Sequence, residues 1–231
     1  MIKVEGLNFK YSNDIYVLKD MNFAICDGER VGLIGANGAG KSTLLKLFVG
    51  LVGEHEGRIQ VDDLELSKKN LADIRNRIGY VFQDSEAQLF MSTVYEDVAF
   101  GPRNMGILGK ELDERVMNAL AQVHIEELKD RQIYRMSGGQ KKLAAIATIL
   151  SMEPSIILLD EPSIALDPRN RRNLIGVLNE MVGTKIIASH DMDLIKKTCD
   201  RVIFVEKGTI VYDGTVDKLM DNEEFLIEHG M

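Results

Sequence analysis

Cysteine is scarce in this sequence: Cys26 and Cys199 are the only two among 231 residues. They stand far apart, in neither a C-x-x-C pair nor a Cys/His cluster, so a disulfide framework and a zinc site are both excluded. Both read as small buried thiols in a reducing compartment. Long apolar runs are missing as well. The longest are short, such as Ile156-Ile157-Leu158-Leu159, far below the roughly 18 residues of a membrane span. Met1-Ile2-Lys3-Val4-Glu5-Gly6 has no extended apolar stretch behind a basic start, so it does not read as a signal peptide. A basic excess is also lacking: Lys and Arg total 28 against 36 Asp and Glu, a formal net charge of -8. That disfavours a nucleic-acid binder, which usually carries a basic face. No internal repeat, low-complexity tract or Pro-rich linker interrupts the chain.

What is present fits one large domain, or a domain with a sub-lobe. A hydrophobic content of 45% is ordinary, and a chain of this length buries a sizeable core. Ile2, Val4 and Leu7, then Met21, Phe23 and Ile25, read as short strands broken at Ser12-Asn13-Asp14 and Asp27-Gly28. Residues 30–34 read as a buried strand, followed by a Gly-rich turn and a helix over 42–49. Further strands are expected at 57–61 and 78–82. The middle then changes to helical periodicity at 93–100, 110–123 and 141–150. Strand–helix alternation resumes with strands at 156–159, 185–188 and 202–205 and helices at 170–181 and 191–198. Lys207-Gly208 reads as a hairpin turn into 209–212, and a short polar helical tail follows. The expectation is a mixed α/β core over 1–83 and 153–231 with a helical insertion over about 84–152.

Gly35-Ala36-Asn37-Gly38-Ala39-Gly40-Lys41-Ser42, followed by Thr43, fits G-x-x-x-x-G-K-[ST] between a strand and a helix. The chemistry requires these residue types. Backbone N–H groups must approach phosphate oxygens, and side chains at the glycine positions would block them. The following helix aims its positive end at the same anion. Lys41 would reach the β- and γ-phosphates, and the Ser42 hydroxyl would ligate Mg²⁺.

Asp160-Glu161 ends the apolar strand at 156–159. Ligands of open α/β sheets bind at the carboxyl ends of strands. There Asp160 can support Mg²⁺, directly or through water, and Glu161 can orient and deprotonate an attacking water. The plainer alternative is that the two acids cap a helix after Pro162.

In these motifs the chain resembles the ATP-binding cassette (ABC) family, over nearly its whole length. Met136-Ser137-Gly138-Gly139-Gln140 is similar to the family signature L-S-G-G-Q, and it is also a helix start with Ser137 as cap. The family's elements occur in order: Tyr11, the phosphate loop, Gln83, the signature, Asp160-Glu161, Asp167 and His190. The resemblance implies a fold of α/β class, a P-loop NTPase core of ABC ATPase type with a helical subdomain and an N-terminal antiparallel β-subdomain. It implies that Tyr11 stacks on adenine, and that Gln83 touches Mg²⁺ and the attacking water while linking the site to the helical part. Glu161 would be the catalytic base, and His190 would bond the γ-phosphate and hold Glu161. Ser163-Ile164-Ala165-Leu166-Asp167 resembles the loop that crosses the dimer interface. Ser137, Gly138, Gly139 and Gln140 would act on the opposite subunit's ATP, so that nucleotide joins two copies and hydrolysis releases them.

A narrower resemblance lies in Gln83-Asp84-Ser85-Glu86-Ala87-Gln88-Leu89-Phe90 and in the run from Thr93 to Pro102. Both look like the ATPases of energy-coupling-factor importers, which take up cobalt, nickel and vitamins. In that group the helix after Gln83 lines the groove that receives coupling helices of a multi-span membrane subunit, which works with a substrate-binding membrane subunit. The implied place is peripheral, on the cytoplasmic face of the membrane. Three departures stand out: Met136 replaces Leu, Leu143 stands where relatives usually carry Arg, and the chain stops soon after its last helix, where many relatives carry an extension that aids dimerisation. Since all the catalytic residues occur in this one chain, a homodimer is favoured over pairing with a similar subunit. Other readings are another importer or exporter ATPase, a soluble ABC protein, or a binding-only cassette. The soluble ABC protein would bring zinc motifs, coiled coils or tandem cassettes, none of which is visible in the sequence, and intact Glu161 and His190 speak against a binding-only cassette.

Overall fold

The computed structural model describes residues 1–11 and 15–229. The break expected at Ser12-Asn13-Asp14 lies outside them. β1 (Ile2–Lys10) and β2 (Tyr16–Ile25) alternate buried and exposed positions, as strands with one wet face do. With β4 (Glu56–Val61) and β5 (Leu64–Glu65) they form an antiparallel sheet in the order β2-β1-β4-β5.

A second sheet carries the rest. Its order is β10-β9-β3-β8-β7-β6, built from β3 (Arg30–Ile34), β6 (Ile78–Val81), β7 (Ile156–Asp160), β8 (Thr184–Ala188), β9 (Arg201–Glu206) and β10 (Thr209–Thr215). All pairs are parallel except β9 with β10, which are joined by a hairpin at Lys207-Gly208. The turn residues have φ of 48° and 84°, the left-handed pair of a tight hairpin.

Strand β7 is buried along its whole length, as a parallel strand covered on both faces must be. Ile156 and Leu158 join the core shared with the antiparallel sheet and α1 (Lys41–Phe48), while Ile157 and Leu159 join the core beneath the other helices. The period of two therefore divides one apolar run between two cores.

The middle of the chain supplies α3 (Val94–Asn104), α4 (Gly109–Gln122) and α5 (Gly138–Leu150). Two boundaries differ from the sequence periodicity. Helix α5 begins at Gly138, ahead of the periodicity at 141–150 but where Ser137 read as a cap puts it, because Ser137 and Gln140 form a reciprocal capping box that carries the helix through two glycines. Helix α3 runs past residue 100 and through Pro102. A proline there leaves the Val98 carbonyl without its helical donor, and the Ser151 hydroxyl donates to that carbonyl at 2.8 Å instead.

The remaining helices are α2 (Leu71–Arg77), α6 (Pro168–Glu180), α7 (Met192–Thr198), α8 (Val216–Met220) and α9 (Glu223–Glu228). No helix starts directly after Pro162, so Asp160 and Glu161 do not cap one; Asp167 caps α6. Cys199 is buried as expected. Cys26 is exposed, because it opens the turn after β2. Among the described residues no helix is long and apolar enough to cross a membrane.

Candidate functional site

Four neighbouring parallel strands deliver the site. β3, β8, β7 and β6 lie side by side, and their carboxyl ends run into Gly35, His190, Glu161 and Gln83 respectively. The loop after β3 must turn sharply against its surroundings. Gly35 has φ of 144°, and a Cβ on it would stand 2.1 Å from the Val205 carbonyl oxygen. Gly40, with φ of 109°, would put a Cβ 2.6 Å from Leu18. Only glycine fits either position.

A cavity of about 540 Å³ opens over this loop, lined by Asn37, Gly38, Ala39, Gly40, Lys41, Ser42 and Thr43. Tyr11, Gln83 and Glu161 complete its wall. The sequence-derived nucleotide residues are thus brought together. Gly35 and Ala36 form the loop floor, and their carbonyls accept from Lys41 Nζ at 2.7 and 3.3 Å. Tyr11 is edge-on to Phe9, and its hydroxyl lies 3.2 Å from Thr43 Oγ1. About half of its surface remains open at the cavity mouth.

Two acids at the end of β7 have different partners. Asp160 is buried; Ser42 Oγ donates to its Oδ1 at 2.7 Å and Tyr80 Oη to its Oδ2 at 2.9 Å. Burial first, then the Asp160 charge, pushes the Tyr80 hydroxyl far above its usual range, so it stays a donor. Glu161 is held with φ of 46°, a left-handed conformation that costs a non-glycine residue about 1–3 kcal/mol and is found mostly at functional sites. Its backbone N–H donates to the Ala188 carbonyl at 2.8 Å. One carboxylate oxygen lies 2.9 Å from His190 Nδ1 and accepts from Ser189 Oγ at 3.3 Å, while the other is 3.6 Å from Lys41 Nζ. Strand end, neighbouring strand and loop lysine therefore fix one buried carboxylate at the cavity edge.

The remaining expected residues are placed elsewhere. Ser137, Gly139 and Gln140 lie at the start of α5, outside the lining of the cavity. Gly138 borders a second hollow of about 410 Å³, which Gln83 also lines. Asp167 Oδ1 accepts from the backbone N–H groups of Arg169 and Asn170, both at 2.9 Å, which lowers its carboxyl pKa.

Several residues of the site carry no sequence motif. Tyr80 is, by sequence, only a strand residue. Arg171 grips Asp191 with two donors, at 2.7 and 2.6 Å, and so ties α6 to the turn after His190. Asn170 packs directly on Gly139. Lys142 is buried on α5, and that burial pushes its ammonium down to about 8. Each of these partners is distant in sequence, and no local pattern points to the pairings.

With that geometry in place, comparison with known proteins is decisive. The profile of the ABC transporter family matches residues 18–164. The chain belongs to the ABC transporter ATP-binding family. It is 40% identical to the energy-coupling factor transporter ATP-binding protein EcfA3 of Clostridium perfringens, over 98% of this chain and 81% of that one. The solved structure of cbiO1 from Clostridium perfringens, described as part of the ABC transporter complex cbiONQ, matches with a TM-score of 0.89 at 40% identity, covering 98% of this chain and 93% of that one. A dimeric post-hydrolysis state of the ATP-binding cassette MJ0796, bound to ADP and phosphate, matches with a TM-score of 0.82 at 28% identity, covering 94% of this chain and 99% of that one. This ABC chain is accordingly an ATPase, the nucleotide-binding subunit of a transporter, with energy-coupling-factor relatives.

Proposed function

We propose that this subunit powers an energy-coupling-factor type importer of cobalt, nickel or a vitamin, as a homodimer at the cytoplasmic face of a membrane. The observation that carries the mechanism is a division within one chain. Lys41 and Glu161 share the phosphate-loop cavity, while Ser137, at the capped end of α5, stands outside it. A helix N-terminus with an open glycine is an anion site looking for its anion, and a second copy's nucleotide supplies one.

In the closed pair the loop N–H groups and Lys41 hold the β- and γ-phosphates of one ATP, and Tyr11 covers its adenine. Ser137, Gly138, Gly139 and Gln140 of the other copy close over the γ-phosphate, with Asp167 at the crossing loop. Glu161 takes a proton from the attacking water, which adds to the terminal phosphorus as the bond to ADP breaks. His190 keeps Glu161 aimed and bonds the γ-phosphate, and Gln83 positions the water.

The residues also fit Mg²⁺. Ser42 and Asp160 offer hard oxygen donors 2.7 Å apart. Among the described residues no group of three or more His, Cys, Asp or Glu could hold a metal alone, as suits a cation that arrives on nucleotide phosphates. Ser42, Asp160 and Gln83 would hold it, and when bound it neutralises charge on the transferring phosphoryl group.

Importer coupling is supported by a groove of about 480 Å³ beside α3. Phe90 and Phe100 line it, edge-to-face at 4.9 Å, with Met105 and Ala87. Asp97 also faces it, buried, with Oδ1 accepting from the Phe90 and Met91 N–H groups and no partner for Oδ2 among the described residues. A buried carboxylate oxygen without a donor is costly, and that burial raises the Asp97 carboxyl pKa.

Glu161→Gln tests the reading. The variant should bind ATP, lose at least about a hundredfold in hydrolysis, and form an ATP-dependent dimer in size-exclusion chromatography. Parental turnover would remove Glu161 as base, and a monomer at saturating ATP would remove the two-copy site.

A further inference from the structure

Lys142 lies on α5, little more than one turn beyond the Ser137 cap, and is only 3% exposed. Its Nζ donates to two consecutive backbone carbonyls, Phe82 at 3.1 Å and Gln83 at 2.8 Å. These carbonyls belong to the segment that leaves β6 and carries Gln83 into the cavity. Lys142 itself does not line that cavity.

Other side chains stitch the same segment to the same helix. Lys141 pairs with Glu86. Gln88 accepts from the Phe82 N–H at 3.0 Å and donates to the Ala145 carbonyl and to Thr148 Oγ1, both at 2.8 Å. Of the three side chains, Lys142 alone reaches the backbone of Gln83. A buried ammonium is expensive to desolvate, and an apolar residue of the same length would fill the space without that cost. A stability role therefore explains the lysine poorly. Its two carbonyl contacts instead define a position: the Gln83 backbone relative to the helix whose first turn is the signature.

We propose that Lys142 is a positioning residue for ATP hydrolysis. It locks the Gln83 backbone to α5, so that Gln83 in one copy's site and Ser137 at the other copy's nucleotide keep one fixed relation. The inference rests on the two-copy reading above. It adds that a side chain touching neither nucleotide takes part in coupling the two sites of the pair. A Gln83 displaced by a bound nucleotide carries α5 with it through these bonds, and Ser137 moves with the helix.

The test uses the full chain with Lys142→Met, which keeps length and loses the donors, and Lys142→Arg, which keeps charge and donors. ATP affinity of the single chain by titration should stay within about twofold of the parent, while kcat at saturating ATP falls roughly tenfold or more. In the Glu161→Gln background, Lys142→Met should need about tenfold more ATP to form the dimer. Lys142→Arg should recover most of both. Unchanged kcat and dimerisation in Lys142→Met would overturn the proposal. So would an equal loss of ATP affinity and kcat, or a failure of Lys142→Arg to recover activity while restoring the melting temperature. If Lys142→Met melts far below the parent, Lys142→Gln, which keeps an uncharged NH₂ donor group, is read by the same criteria. A Glu161→Gln chain that never dimerises with ATP sinks the two-copy reading instead, whatever Lys142 does.

Discussion

Asp191 shows how one residue beside the catalytic cluster is held. Burial alone would raise its carboxyl pKa. The Arg171 guanidinium bonded to both oxygens, the Leu194 N–H and the Ser163 hydroxyl outweigh burial and bring it from 3.8 down to about 2. The folded value lies below the unfolded one, so the carboxylate stabilises the fold above pH 3.8 and the contribution is lost as pH falls through about 2. Asp191→Asn keeps the helix cap, since Asn caps as well as Asp, but loses the charge. At neutral pH the variant should be less stable by about 2 kcal/mol. Near pH 2 the two chains should unfold at nearly the same denaturant concentration. Urea unfolding at both pH values checks this; a difference of equal size at each would mean the charge is not what Arg171 stabilises. Asp191 follows directly on His190, so the same ion pair braces the turn that aims the imidazole at Glu161. None of this was legible in the sequence, where Arg171 and Asp191 are ordinary surface-type charges 20 positions apart.

At the scale of elements, the two signature glycines have different reasons to be glycine. A Cβ on Gly139 would come within 2.3 Å of the Asn170 side chain, so packing of α5 on α6 inside this chain demands it. A Cβ on Gly138 meets nothing within 4 Å. The fold of a single copy gives Gly138 no reason to lack a side chain, whereas the proposed approach of a partner's γ-phosphate would. Gly138→Ala should therefore leave thermal stability unchanged or raise it, by up to about 1 kcal/mol, and should abolish the ATP-dependent dimer in the Glu161→Gln background. A destabilised Gly138→Ala, or one that dimerises as before, would show that the glycine serves the monomer. Elements with a strong local pattern were legible: the alternation of β1 and β2, the strand–loop–helix at 30–48, the capped start of α5. Helix α2 was not, because Ile74 is its only buried residue and leaves no apolar period to detect. Two-residue β5 carries no pattern at all. The extension of α3 through Pro102 depends on Ser151, about fifty positions away, which no local rule could supply.

In the whole molecule, the order of strands decides function. Residues that are 155 positions apart, Gly35 and His190, become neighbours only because β3 and β8 pair. Sequence motifs named most of the site because each lies at a strand end, but the order β3-β8-β7-β6 that lines them up is set by packing on both faces. The same architecture separates two surfaces. The candidate catalytic groups occupy the carboxyl edge, while the aromatic groove beside α3 lies off it, on the flank that continues from Gln83. Phe90 is 64% exposed there and packs edge-on against Phe100. An aromatic left so open adds little to the stability of the free chain, and in the proposed importer it would act in assembly, where buried aromatic anchors dominate. Phe90→Ala should leave melting temperature and the ATPase rate of the isolated protein near parental values. Retention of the multi-span membrane subunit in detergent pull-downs should fall by roughly tenfold or more, as for loss of one anchor residue. Transport in reconstituted vesicles should fall in parallel. A Phe90→Ala chain that holds its membrane partner as tightly as the parent would place coupling somewhere other than this groove, while leaving the assignment of Lys41 and Glu161 intact.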